Sequence, residues 1–435
     1  MRSGTQAPAS IQDWEQRVRR IAACRICGNA HLEPVIDLGA QSLASLFNDG
    51  RPENRLETPI PLEVVRCQAT AEAAACGLVQ LTHTVPPDIL YHDYGYRSGI
   101  NTTMRKHLSD LAHEIESKVR LKAGDLVVDV GANDGTTLLS YAQPGLVRVG
   151  IEPSTIRPEI ADPPIQYIPG VFSAKAFRDR FPDRQARVLT TIAMFYDLDD
   201  ATQFCRDLSE VLADDGLWVL EMSDLGAVLK QNAFDAMCHE HLGYYSLDVL
   251  CHVLEKTGFA LHDLTFNDAN GGSVRCEIRK RSTGISAPPP QQARIDAALR
   301  EERRSGYREA AVYERFRRNV ETIRQDLRET LREIRNEGGR VYGYGASTKG
   351  NVLLQYCGVG PQDVMAIADR NPRKVGRSTP GTDIPICSEG EMRQARPDYV
   401  LILPWHFLDE FMERERALRA SGTKFIVPFP TVRVL

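Results

Sequence analysis

The chain has 435 residues, of which 42% are hydrophobic and 26% charged, and its net charge is −5. That length exceeds one ordinary core and implies two or three domains, while the acidic balance gives no general pull toward nucleic acid or an anionic membrane. No apolar run approaches the roughly 18–20 residues of a membrane-spanning helix, and the opening MRSGTQAPASIQDWEQ lacks an apolar signal core, so the expected location is the cytoplasm.

Residues 1–100 are rich in short apolar pieces, turns and cysteines. Ten cysteines in a large chain without an export signal point to reduced thiols, some holding metal, rather than to disulfides. Cys24-Arg-Ile-Cys27-Gly is a knuckle in which two thiolates grip one Zn²⁺ and small residues let backbone amides approach the sulfurs. Cys67 and Cys76 supply the second pair, with QATAEAAA between them as an inserted helical or loop excursion. Four protein ligands leave no open position, so this zinc is structural. Only Arg51 and Arg55 are basic between Ala30 and Arg66, which argues against a nucleic-acid-binding ribbon.

Residues 101–285 alternate strand-like and helix-like segments. LVVDVGAN, VRVGIEP, ARVLTTIAMF and GLWVLEMS each read as a buried strand ending in polar or Gly residues, so a parallel sheet with helical crossovers is expected. Within the first of these, Asp129 precedes a tight turn, Gly131-Ala-Asn133-Asp134-Gly135, that opens the periodic TTLLSYA. Two glycines four apart allow close backbone approach to a nucleotide-like cofactor, but they are not the G-x-G-x-x-G of a diphosphate cradle. Twenty-one residues after Gly131, Glu152 ends the next strand, where a carboxylate can accept two ribose hydroxyls. This strand-turn-strand pattern resembles motifs I and II of class I methyltransferases. The resemblance implies S-adenosylmethionine, with Asp129 and the backbone of Gly131–Gly135 (Asn133 and Asp134 among them) at the methionine end and Glu152 on the ribose.

His239-Glu240-His241 follows GLWVLEMSD, the fourth or fifth strand of that sheet. On a helix, residues i and i+2 point about 200° apart, so the pair would not grip one ion as HExxH does. In a loop from a strand's C-terminal end it reaches the cofactor crevice, where a near-neutral imidazole abstracts a proton from carbon next to a carbonyl. A pair of hydrogen-bonded core histidines is the alternative.

SAPPPQQ at 286–292 breaks the chain, and residues 286–435 form the third unit. Phe316, Val320, Ile323, Leu327, Leu331 and Ile334 make one apolar stripe on a helix, expected to pack on its own chain rather than in a coiled-coil dimer. Gly338-Gly339 stops it. RVYGYGAS, VMAIADRN and DYVLILPWH then resemble strands of a smaller α/β unit. In GYGASTKGN, backbone amides at a helix start, with Ser347, Thr348, Lys349 and Asn351, suit a diphosphate or hydroxyl-rich ligand. Asp369, 24 residues after Gly345, keeps a degenerate NAD reading open, and Trp405-His406 faces the crevice by topology.

Taken together, CRICG, CGLVQL (76–81), YGYRSGIN (94–101), VVDVGANDGTTLL (127–139), FDAMCHEHLGYYSL (234–247), NGGSVR (270–275) and VYGYGASTKGNVLL (341–354) resemble, in order, the sugar C-methyltransferases of branched deoxysugar biosynthesis. The resemblance implies an α/β architecture: a class I (Rossmann-like) methyltransferase core at 101–285, an N-terminal zinc-binding domain at 1–100 and a smaller C-terminal α/β substrate-binding domain at 286–435. It implies methylation at C3 of a nucleotide-linked 4-keto-6-deoxyhexose through an enolate, with His241 as base and Glu240 beside it. It also implies Tyr94, Tyr96 and Arg97 as a substrate-binding segment, in a monomer or small homo-oligomer. Relatives carry a tyrosine where Cys238 stands, and usually a second CxxC where this chain has Cys67 and Cys76. An O- or N-methyltransferase, or a zinc and nucleotide scaffold without catalysis, are the alternatives.

Overall fold

Three strands near the front alternate apolar and polar residues and lie antiparallel: β1 (Leu32–Gln41), β2 (Ile60–Cys67) and β3 (Val79–Leu81). Val35, Leu38, Leu62, Val64, Val79 and Leu81 turn to one side and are buried there. The computed structural model describes residues 11–50, 58–70, 74–91 and 94–435. The opening residues 1–10, Arg51 and Arg55, and 71–73 of the QATAEAAA excursion lie outside the described residues.

The second sheet starts with β4 (Leu126–Val130), β5 (Val147–Glu152), β6 (Ile165–Pro169), β7 (Ala186–Ile192) and β8 (Leu212–Ser223). All are parallel where they pair. β4 is buried on both faces throughout, as a parallel strand covered by helices must be. After β8 the chain runs through the HEH segment into a two-residue strand, β9 (Gly243–Tyr244), which leaves this sheet. It pairs antiparallel with β3 of the first sheet, Gly243 with Gln80 and Tyr244 with Val79. The Leu81 amide adds a bond of 3.0 Å to the Leu242 carbonyl. Two antiparallel strands not anticipated above, β10 (Phe259–Asn267) and β11 (Ser273–Lys280), close the edge. The order is β10-β11-β8-β7-β4-β5-β6.

Helix α1 (Thr102–Lys118) precedes β4, and α2 (Leu247–Lys256) follows β9. The Pro-rich break leads into α3 (Pro289–Ser305) and α4 (Ala310–Asn336). All six stripe residues of α4 are buried within this chain, in one core with Val35, Leu38 and the third unit's Val352 and Ile367. The stripe is therefore covered without a partner helix. The third unit has β12 (Val341–Tyr344), β13 (Ile367–Asp369), β14 (Ile386–Ser388), β15 (Tyr399–Ile402), β16 (Lys424–Val427) and β17 (Arg433–Val434). Their order is β14-β13-β12-β15-β16-β17, parallel except for the last pair. Helix α5 (Thr348–Cys357) leaves β12 at the glycine-rich turn.

The three units share side chains. Asn351 is fully buried, and its amide donates to the Ala44 carbonyl at 2.7 Å. Gln355 exchanges hydrogen bonds with the backbone of Ser42. Among the described residues no helix is long and apolar enough to cross a membrane.

Leu327 of α4 is fully buried between the first sheet and the third unit. Leu327→Ala should cost about 3 kcal/mol of stability, whereas the exposed Asp326→Ala should stay within about 0.5 kcal/mol. Urea unfolding of the two variants beside the parent checks the contrast.

Candidate functional site

Four thiols gather at the front of the molecule. The Sγ atoms of Cys24, Cys27, Cys67 and Cys76 all lie within 4.8 Å of one another. Cys24 and Cys76 approach to 3.5 Å, and Cys27 and Cys67 to 3.4 Å. Four sulfurs around one Zn²⁺ at about 2.3 Å would stand about 3.8 Å apart, so the set fits that ion. The knuckle closes because Gly28 takes φ +74° and its amide bonds the Cys24 carbonyl at 3.0 Å. Hydrogen bonds from Cys67 and Cys76 pull Cys24 down to about 3, and the same crowding pushes Cys76 up. Thiols that cannot all ionise unaided are held where a cation would let them. Arg308 bonds the carbonyls of Ala75 and Cys76 and also Asp248 of α2, tying the cluster to the second unit.

At the C-terminal end of β4, burial pushes the Asp129 carboxyl up to about 7, against the hydroxyls of Thr190 and Thr137 that favour its charge. Its Oδ1 accepts from Thr190 at 2.6 Å. Gly131 has φ +77°, and a Cβ there would meet the Met194 side chain at 3.2 Å, so the turn needs glycine for both reasons. Glu152 accepts from the amides of Asn133 and Ser154, each at 2.8 Å, which fixes the turn to β5. The Asn133 and Asp134 side chains face the segment 94–101. Asn133 accepts from Ser98 and donates to the Tyr96 carbonyl, both at 3.0 Å, and Asp134 accepts from Gly99 at 2.9 Å. This strap ends at Asn101, which caps α1 by accepting from Thr103 and Met104.

The HEH segment is an irregular turn after a short helix at Phe234–Ala236. His241 donates from Nδ1 to the Ala236 carbonyl at 2.7 Å. A carbonyl only accepts, so Nδ1 carries the proton and Nε2 keeps its lone pair. Burial, then the charge of Lys349, lowers the imidazole to about 3, so it is neutral. Its ring lies 4.2 Å from that of Tyr196, centroid to centroid. Glu240 is 5% exposed, and neither oxygen receives an N–H or O–H; the buried Cys238 thiol stands beside it. His239 turns the other way, bonding the Ile60 carbonyl of β2 at 3.1 Å, and burial lowers it to about 4.

A cavity of about 650 Å³ joins these parts and is walled by all three units, a size typical of small-molecule sites. Tyr94, Tyr96, Asp129, Gly131, Asn133, Glu152, Glu240, His241, Ser347, Thr348 and Lys349 line it. His239, Arg97, Asn351 and Trp405 do not: Arg97 bonds the Arg157 carbonyl, Asn351 the Ala44 carbonyl, and the Trp405 indole donates to Asp235 at 2.9 Å. Gly135 and Asp134 also stand behind the wall. Ser347 caps α5 by accepting from Gly350 at 3.0 Å, which points the helix start at the cavity.

The wall also contains groups the sequence reading passed over. Asp197 accepts from Tyr91 at 3.0 Å, and burial raises it well above the usual carboxylate range. Its position after β7 was the available signal, since strand ends of such sheets face the crevice. Glu221, near the end of β8, accepts from His107 at 2.5 Å and from Arg275 at 2.7 Å. Burial opposes its charge, but these two donors outweigh that and hold it below its ordinary value. His107 lies in α1 with no local signature.

Family models match most of the chain in three pieces: a zinc binding domain at residues 24–91, a methyltransferase domain at 97–264 and a C-methyltransferase C-terminal domain at 268–430. The C-methyltransferase NovU of Streptomyces niveus is 33% identical over 421 residues, which is 96% of this chain and 98% of that one. Two solved structures are more distant. Magnesium protoporphyrin IX methyltransferase (ChlM) from Synechocystis PCC 6803, with bound SAH, is 12% identical over 41% of this chain and 87% of its own, at a TM-score of 0.32. CalO1, a methyltransferase in calicheamicin biosynthesis in its SAH-bound form, is 15% identical over 42% and 55%, also at 0.32.

Because β9 is held by β3, and β3 follows directly on Cys76, loss of zinc should loosen the HEH segment. Metal analysis should give one zinc per chain. Chelation, or Cys27→Ser, should speed amide exchange at Gly243 and Tyr244 while leaving β4 protected, as hydrogen exchange with mass spectrometry would read.

Proposed function

The chain belongs to the S-adenosylmethionine-dependent C-methyltransferase family, and on that premise we propose that it methylates C3 of a nucleotide-linked 4-keto-6-deoxyhexose through an enolate. S-adenosylmethionine supplies an electrophilic methyl group, so the chemistry left to the protein is to make a carbon nucleophile. Asp129, the backbone of the turn from Gly131 and Glu152 are the residues that would hold it; the buried acid and a glycine that brings bare backbone to the cavity wall fit such a ligand. A structural Zn²⁺ is the other cofactor, with the four clustered thiols as its donor set.

The observation that carries this reading is the tautomer of His241. Its Nδ1–H is taken by the Ala236 carbonyl, and it lines a cavity shared by all three units with Nε2 unprotonated. A neutral imidazole with a free lone pair is the group needed to take a proton from carbon next to a ketone. Glu240, whose oxygens receive no N–H or O–H, lines the same cavity beside it. The sugar would meet Tyr94, Tyr96, Ser347, Thr348 and Lys349, which line the same cavity. Arg97, Asn351 and Trp405 act in this reading by holding the walls that the sugar touches.

His241→Asn should lower both C3 proton exchange in deuterated water and methylation by at least about 10²-fold, with S-adenosylmethionine binding unchanged by calorimetry. An enzyme methylating oxygen or nitrogen would lose no C3 proton. The cofactor site has its own pH signature. Asp129 is raised to about 7 in the ligand-free protein, so it is largely protonated below that pH and ionises above it. A cationic ligand favours the ionised form. Affinity for S-adenosylmethionine should therefore rise with pH up to about 7 and level off beyond it, and Asp129→Asn should weaken binding and flatten the profile.

A further inference from the structure

Three cationic side chains line the cavity: Arg17, Arg19 and Lys349. Arg17 is paired with Asp88 and Arg19 with Asp199. Lys349 is different. Its Nζ donates to the Asn270 carbonyl at 2.7 Å, and among the described residues it makes no ion pair. An ammonium carries three N–H groups, so two are left for a ligand. It sits in the first turn of the ten-residue α5, whose capped start adds positive potential to the same wall. The carboxylate whose charge it feels most, that of the buried Asp235, is hydrogen-bonded to the Trp405 indole instead, so the half-buried ammonium keeps N–H groups for a ligand in the cavity.

The surroundings say which group that ligand presents. Lys349 shares its stretch of wall with Cys238, His241 and His406, and its charge is felt at all three. A cation beside the base makes that base weaker, which would only hinder proton removal. The arrangement becomes favourable if the same cation makes the carbon acid stronger by receiving the oxyanion. A lysine serving only a distant diphosphate would gain nothing from standing beside the imidazole. Cys238 cannot serve instead, because burial and Glu240 keep its thiol neutral and a thiol is a weak donor.

We propose that Lys349 is a catalytic residue that donates a hydrogen bond to the 4-keto oxygen and stabilises the enolate as His241 takes the C3 proton. This rests on the reading of the preceding subsection. The C3–H electron pair becomes the C3–C4 double bond, the carbonyl π pair moves to oxygen, and the proton goes to Nε2 of His241. Lys349 keeps its own protons. The C3–C4 π pair then forms the bond to the methyl group as the methyl–sulfur bond breaks with its pair left on the neutral thioether sulfur, the oxyanion pair re-forms the ketone, and the proton on His241 leaves to water.

The test uses the full-length, zinc-loaded protein and a dTDP-linked 4-keto-6-deoxyhexose in deuterated water. Lys349→Met should lower C3 exchange and methylation at saturating sugar by about 10²–10³-fold, the loss expected for one oxyanion donor. Its KM should stay within about threefold and its S-adenosylmethionine binding should be unchanged, which certifies the fold. Lys349→Ala should be partly rescued by methylammonium. A raised KM with exchange at saturation as in the parent would overturn the proposal and make Lys349 a phosphate contact. If the parent protein exchanges no C3 proton from either dTDP- or GDP-linked keto-sugars, the reaction assignment itself fails and this role falls with it.

Discussion

A two-residue strand pairing fixes the place of the HEH segment. Gly243 and Tyr244 come from the second unit's chain but complete the first unit's sheet, through register with Gln80 and Val79. The HEH segment lies immediately before them, and His239 adds its own bond to Ile60. The imidazole that faces the cavity is thus clamped between β8, which brings the chain in from the cofactor sheet, and β3, which receives it. Its orientation follows from a strand pairing and a carbonyl, not from a metal or a second histidine. This is the sort of fixation that proton transfer at carbon demands, since the reacting atoms must be held within hydrogen-bonding reach.

The cavity that results is electrostatically tense. Asp129 and Asp197 are driven toward their neutral forms by burial, and His241 is driven the same way from the other side. Glu240 lacks an N–H or O–H partner altogether. Glu221 is instead held below its ordinary value, because His107 and Arg275 meet it. Such a site is poorly arranged for its own stability and well arranged for a ligand that brings charge and donors of its own. Stability is supplied elsewhere, by two large apolar cores that both include pieces of the front unit.

What the sequence disclosed and what it hid divide along a physical line. β4, β5, β7 and β8 were legible because parallel strands buried on both faces are continuous apolar runs, and their ends are marked by Gly131, Glu152 and similar polar stops. The thiol cluster was legible because thiols at such spacing have few other uses. β10 and β11 were not read, since an edge pair with one wet face has a weaker signature. β9 has none: LGYYS becomes a strand only because β3 lies waiting for it. Side-chain direction was hidden in the same way. Asn133 and Asp134 bond the strap, and Asn351 reaches a carbonyl 307 residues away. Contacts across such separations leave no local pattern.

The strap at 94–101 has a consequence for how such chains diversify. It walls one side of the cavity, yet it is bolted to the turn after β4 through Asn133 and Asp134 and hands its last residue to α1 as a cap. A strap of new shape cannot simply be exchanged for this one. It must keep backbone amides at Ser98 and Gly99 where those side chains can reach them, and an Asn or its equivalent at Asn101. Variation in the shape of this wall is therefore channelled into the side chains of Tyr94 and Tyr96, while the path of the backbone is fixed by the turn after β4.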